Sequence, residues 1–121
     1  MENSFIIHAP PLLPREWLGQ IVHVIVDRPV GYRHGNIIYP INYGYIPGRL
    51  AGDGEEQDAY ILGVTEPVKE FDGQVVAVIC RRNDCEDKLV VAPVGSQYSQ
   101  SQIAESVHFQ EQFFDTCILI I

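Results

Sequence analysis

The chain has 121 residues, 46% of them hydrophobic and 20% charged, a composition that suits one folded domain and excludes disorder. Sixteen acids against eight bases give a formal net charge of -8, and the bases are scattered from Arg15 to Lys88, so a nucleic-acid partner is not expected. Three cysteines without paired spacing argue against a disulfide framework or a zinc site and for a reducing compartment, so a cytoplasmic protein is expected.

The opening stretch MENSFIIHAPPLLP has no basic n-region, and His8 and the prolines break its apolar run. Neither a secretory signal nor a membrane span is expected. EWLG reads as a short turn. QIVHVIVD, residues 20–27, is rich in β-branched side chains and reads as a buried strand, ended by Pro29 and Gly31. NIIYPINYGYIP reads as extended, with Pro40 and Pro47 marking edges or bends. Gly48, Gly52 and Gly54 then make a turn. Three further strands are expected: DAYILGVTEP (58–67), GQVVAVICRR (73–82) and DKLVVAPV (87–94), the last two joined by a hairpin loop, NDCE. SQSQIAESVHFQEQFFD, residues 99–115, reads as one amphipathic helix. Ser99 and Gln102 have capping-box spacing, and Ile103, Val107 and Phe114 share a face with Phe113 beside it. The final TCILII suits either a strand that closes the barrel or an apolar surface for self-association into a homo-oligomer. Short, regularly spaced strands of this kind close into barrels or sandwiches.

The chemistry concentrates in GDGEEQD, residues 52–58, with four acids in six positions. Acids and glycines also make plain solvated turns. Asp58, however, opens an apolar strand, where an unpaired carboxylate is costly and wants a counter-charge. Asp53, Glu55 and Asp58 fall at i, i+2 and i+5, a spacing that can point three carboxylates into one pocket. Mg²⁺ prefers such hard oxygen ligands and is held by one or two carboxylates together with substrate phosphate oxygens. Further candidates are Asp27 at the end of the first strand, and Asp84, Glu86, Asp87 and Lys88 at the hairpin. Tyr43 offers a hydroxyl to a phosphate oxygen. The four histidines are not spaced as metal ligands: His23 reads as a half-buried strand residue, and only His34 is kept as a phosphate contact. Trp17 reads as a packing anchor. Arg81 and Arg82 read mainly as surface charge, with room for one of them to face the site.

YPINYGYIPGRLAGDGEEQD resembles the soluble (family I) inorganic pyrophosphatases, in which a Tyr-Pro-x-Asn-Tyr-Gly-Tyr-Ile segment leads into an Asp-x-Asp-x-x-Asp metal signature. Tyr39, Pro40, Asn42, Tyr43, Gly44, Tyr45, Ile46, Asp53 and Asp58 match, with Glu55 in place of the middle Asp. VIVDRP maps Asp27, and CEDKLVVAP maps Glu86 and Lys88. The resemblance implies a mainly β (α+β) domain, an OB-like five-stranded barrel with a C-terminal amphipathic helix. It implies Mg²⁺-dependent hydrolysis of pyrophosphate, a small-molecule phosphate substrate, to two phosphates. Asp53, Glu55, Asp58, Glu86, Asp84 and Asp27 would be metal ligands, with Glu55 orienting the attacking water. Tyr43 and Lys88 would hold phosphate oxygens, with Arg33 and His34 beside them. The chain departs from the family in lacking the long hairpin between Asp27 and Tyr39 that carries basic phosphate contacts; only Arg28, Arg33 and His34 are near. Phe109 and Gln110 stand where the family has Tyr and Lys. The competing reading is a non-catalytic relative that binds metal or a phosphorylated ligand, or acts through a partner.

Overall fold

Ten elements form in the computed structural model, which describes residues 11–82 and 86–121. They are α1 (Pro14–Trp17), β1 (Ile21–Arg28), β2 (Arg33–His34), β3 (Ile37–Ile38), β4 (Asn42–Leu50), β5 (Glu56–Ile61), β6 (Glu70–Arg81), β7 (Asp87–Ala92), α2 (Gln100–Glu111) and β8 (Thr116–Ile120). Five strands close on themselves in the order β1-β4-β5-β7-β6, with β6 pairing back onto β1. All neighbours are antiparallel except β5 and β7. This is the OB-like five-stranded barrel that the resemblance implies, capped by a C-terminal helix.

Burial alternates along the first residues of β1 and β4, as the pleat requires. Val24, Ala59, Ile61, Val75, Val78, Leu89 and Val91 fill the barrel, with Trp17 packed against them. The opposite faces of β5, β6 and β7 present Tyr60, Leu62, Ala77, Ile79, Val90 and Ala92 to Ile103 and Val107 of α2. Because α2 covers the outside, LVVA in β7 is apolar on both faces rather than alternating. Each fully buried aliphatic side chain contributes about 1.5–3 kcal/mol.

Helix α2 starts where its cap predicts. The Ser99 hydroxyl accepts from the Gln102 N–H (3.1 Å), and the Gln102 side chain accepts from the Ser99 N–H (2.8 Å). The helix stops at Glu111, four residues short of the sequence reading, so Phe114 lies beyond it. Strand β5 is also shorter than expected. Past Ile61 the chain bends so that the Val64 and Glu66 carbonyls accept from the Asn42 amide (3.4 and 2.9 Å). The same side chain accepts from the N–H groups of Val30 (3.0 Å) and Val68 (3.4 Å). Asn42 is fully buried and stitches two loops to the start of β4. TCILII forms β8 on the outer edge of β6, and the barrel closes without it. Among the described residues no helix is long and apolar enough to cross a membrane.

Candidate active site

An irregularity in β1 builds the site. Across the pair with β4, Val26 faces Gly44 and Arg28 faces Tyr43, which leaves Asp27 as the extra residue of a β-bulge. In a regular strand, neighbouring side chains point to opposite faces. Here Asp27 and Arg28 both line one cavity of about 290 Å³. Gly44 permits the close approach: a Cβ there would collide with the Ile25 carbonyl. Tyr39, Tyr43, Asp58, Arg81, Glu86, Lys88 and Gln110 complete the wall. A groove of about 380 Å³ lies elsewhere, between residues 95–98 and β8, but no Asp, Glu, Lys, Arg or His lines it. Chemistry, not size, selects the first cavity.

Lys88 and Asp58 sit at its centre. The Lys88 ammonium, its side chain 5% exposed, donates to Asp58 (2.6 Å) and Glu86 (3.3 Å). Tyr43 hydrogen-bonds Asp58; burial first, then the Asp58 charge and that bond, hold its phenol far above the usual range. Tyr43 is therefore a proton donor at every working pH. Burial also raises the Asp27 carboxyl, against the lowering pull of its own backbone N–H and of Arg28. Arg28 donates to the Tyr39 hydroxyl (2.5 Å), which in turn donates to Gln110 of α2 (3.4 Å).

The wall opposite β1 is a buried ion pair. Arg81 donates twice to Glu111, Nε to Oε1 at 3.1 Å and Nη2 to Oε2 at 2.8 Å, with both side chains 5% exposed. The Tyr60 hydroxyl donates to the same carboxylate (2.6 Å), and the Phe114 ring lies under the guanidinium at 3.6 Å. Arg81 also reaches Glu86 at 4.0 Å.

The sequence candidates divide. Asp27, Tyr43, Asp58, Glu86 and Lys88 come together in the cavity. Of the competing hairpin acids, Glu86 lines it and Asp87 does not, while Asp84 lies outside the described residues. Asp53 and Glu55 stand in an exposed turn away from it. That turn closes on itself, through Ala51 N–H to Glu55 carbonyl (2.7 Å) and Glu55 N–H to the Asp53 carboxylate (2.9 Å). Glu56, also exposed, accepts from the Gly48 N–H (2.8 Å). Arg33 and His34 are exposed on the small β2–β3 ribbon, also off the cavity.

Sequence reading passed over Tyr39 and Gln110 as site residues, counted Arg28 only as a base near the missing hairpin, and allowed one of Arg81 and Arg82 to face the site. For Arg81 and Glu111 a signal existed: Glu111 continues the 103–107 stripe of α2, and a carboxylate on an apolar stripe demands a partner. For Arg28 there was none, because the bulge is set by pairing with β4.

The cavity acids are all hard oxygen donors, the ligand type Mg²⁺ takes. Among the described residues no group of three or more Asp, Glu, His or Cys is gathered for a metal, and Lys88 already bridges two of the three acids. The arrangement fits one ion shared with water and substrate oxygens rather than an all-protein cage.

Neither a family model nor a curated protein matches the chain by sequence. Solved structures do match. The inorganic pyrophosphatase of Ehrlichia chaffeensis superposes with a TM-score of 0.65 at 16% identity, over 86% of this chain and 88% of that one. That of Coxiella burnetii gives 0.62 at 17% identity, over 85% and 84%. That of Thermus thermophilus gives 0.54 at 18% identity, over 84% and 80%. At this identity the likeness is one of backbone, and it establishes that the chain has the fold of the inorganic pyrophosphatases.

Proposed function

We propose that this chain hydrolyses inorganic pyrophosphate in the Asp27–Lys88 cavity with the help of Mg²⁺. One observation carries the reading: on a pyrophosphatase fold, a single small cavity joins three carboxylates (Asp27, Asp58, Glu86) to three cations (Arg28, Arg81, Lys88) and two phenols (Tyr39, Tyr43). A phosphoanhydride site needs both sets, one to manage the attacking water and one to hold charged oxygens.

One or two of Asp27, Asp58 and Glu86, together with substrate oxygens, would hold Mg²⁺, which when bound offsets phosphate charge and makes water more acidic. Tyr43, kept protonated, donates a hydrogen bond to a phosphate oxygen without adding charge. Lys88 exchanges part of its contact with Asp58 and Glu86 for substrate oxygen, where negative charge grows during bond cleavage. Asp58, released from Lys88, becomes the acceptor for the proton of the attacking water. Asp53 and Glu55 take no contact in this scheme.

The test is phosphate release from pyrophosphate across Mg²⁺ concentrations, with Asp58→Asn and Lys88→Met alongside. Each variant should fall on the order of a hundredfold in kcat. A wild-type rate no faster than Asp58→Asn would end the hydrolytic reading. Tight binding of an unreactive analogue with no phosphate released would make the chain a non-catalytic phosphate binder.

A further inference from the structure

Three cations line the cavity, but their settings differ. Lys88 is shared between Asp58 and Glu86, and Arg81 is locked bidentately onto Glu111. Arg28 makes no ion pair with a carboxylate among the described residues; its hydrogen bond goes to a neutral hydroxyl, Tyr39 Oη. Its guanidinium carbon lies 5.5 Å from the Tyr32 and Tyr39 ring centroids and 5.8 Å from that of Tyr43. Those rings brace one another edge to face, Tyr32 on Tyr39 and Tyr39 on Tyr43, at 5.6 and 5.8 Å. Tyr39 itself is 1% exposed and braced further by Phe109 at 4.9 Å.

We propose that Arg28, boxed by Tyr32, Tyr39 and Tyr43, is the principal oxyanion-binding group of the cavity, taking a phosphate of the ligand in a forked pair of N–H donors. The inference rests on the reading of the cavity as a phosphate site. Rings stabilise the cation without neutralising it, whereas a carboxylate partner would compete with the ligand. The bulge at Asp27 delivers the guanidinium to the cavity, and the Tyr39 hydroxyl holds one N–H, so little freedom remains to be lost on binding. The planar fork matches phosphate geometry, which a lysine ammonium cannot reproduce. Arg28 thereby supplies positive charge from β1 itself, in a chain whose other basic residue nearby, Arg33, is directed to an exposed ribbon.

The experiment is calorimetric titration of the full chain with imidodiphosphate in Mg²⁺, together with pyrophosphate kinetics, for wild type, Arg28→Gln, Arg28→Lys and Tyr39→Phe. Arg28→Gln should weaken analogue binding on the order of 10–100-fold, and Arg28→Lys should recover only part of it. Tyr39→Phe keeps the ring and the arginine but frees the guanidinium; a loss of about 3–10-fold is expected, and this variant carries the test if Arg28→Gln does not fold. Binding by Arg28→Gln within twofold of wild type overturns the proposal, whatever the hydrolysis assay shows. Arginine-dependent analogue binding without hydrolysis sustains Arg28 and removes the hydrolytic reading instead. Wild-type failure to bind the analogue removes both.

Discussion

Removing the Glu111 carboxylate should be among the most damaging single changes in the molecule. Glu111→Ala deletes the acceptor for two Arg81 donors and for the Tyr60 hydroxyl at once. The Arg81 side chain is 5% exposed, so little bulk water reaches its charge, and Glu86 stands 4.0 Å away. Stripping one partner from a buried pair costs about 3–5 kcal/mol. The orphaned Tyr60 hydroxyl adds about 1 kcal/mol. Domains of this size are stable by roughly 5–15 kcal/mol, so the loss takes a large share of the total. Urea unfolding followed through Trp17, the single tryptophan and 3% exposed, reads this directly. With a slope of about 1.5–2 kcal/mol per molar, the midpoint should fall by about 2–4 M. Glu111→Gln keeps an acceptor and the shape but not the charge, and should fall about half as far. A midpoint drop of under about 0.5 M in Glu111→Ala, or equal drops in the two variants, would refute the reasoning. Because Glu111 ends α2, far-UV ellipticity measured in parallel separates release of the helix from loss of the barrel.

Asp27 gives a pH signature. Its carboxyl is raised above 3.8, chiefly by burial, so the native state holds that proton more tightly than the unfolded chain does. This contribution is complete below 3.8 and is lost as pH rises through the raised native value. Asp27→Asn should therefore gain thermal stability relative to wild type as pH climbs above 3.8, and a gap that narrows on that climb would contradict it. Gly44→Ala places a methyl against the Ile25 carbonyl carbon (2.7 Å) and the Val26 Cα (2.9 Å), both backbone atoms. A loss of about 3 kcal/mol or failure to fold is expected, and a denaturation midpoint near that of wild type would show that the bulge yields. Ser99→Ala removes the cap of α2 and should cost about 1 kcal/mol, read by chemical denaturation; no change would mean that the helix is fixed by Ile103 and Val107 alone.

The barrel strands were legible because β-branched runs and turn residues repeat at short intervals, and α2 because its cap and its Ile103–Val107 stripe agree. Their ends were less so. Strand β5 stops at Ile61 because the carbonyls beyond it are claimed by Asn42, a contact across more than 20 residues that no local pattern announces. The metal signature shows the same limit. The spacing of Asp53, Glu55 and Asp58 allows one pocket and the resemblance implies it, but the Asp53 carboxylate accepts from the Glu55 N–H of its own turn, and of the three Asp58 lines the cavity. The basic side of the cavity was underread for a related reason. Strand alternation sets Arg28 opposite Asp27, and only the bulge against β4 reverses that.

The route by which the barrel shuts also constrains how the chain is made. Strand β1 finds one neighbour, β4, within about twenty residues, but its other neighbour is the start of β6, where His23 lies opposite Asp72. Strand β5 must likewise wait for β7, its parallel partner, with Ala59 opposite Leu89. At about 5–20 residues per second, several seconds of synthesis separate these partners. Until then β1 and β5 each lack one of the two neighbours that the closed barrel gives them. The two edges are filled in chain order, β1 by the start of β6 and β5 by β7. A ribosome-bound chain halted before β7 should therefore be protease-sensitive along β5, and one in which β7 has left the ribosome should gain protection there.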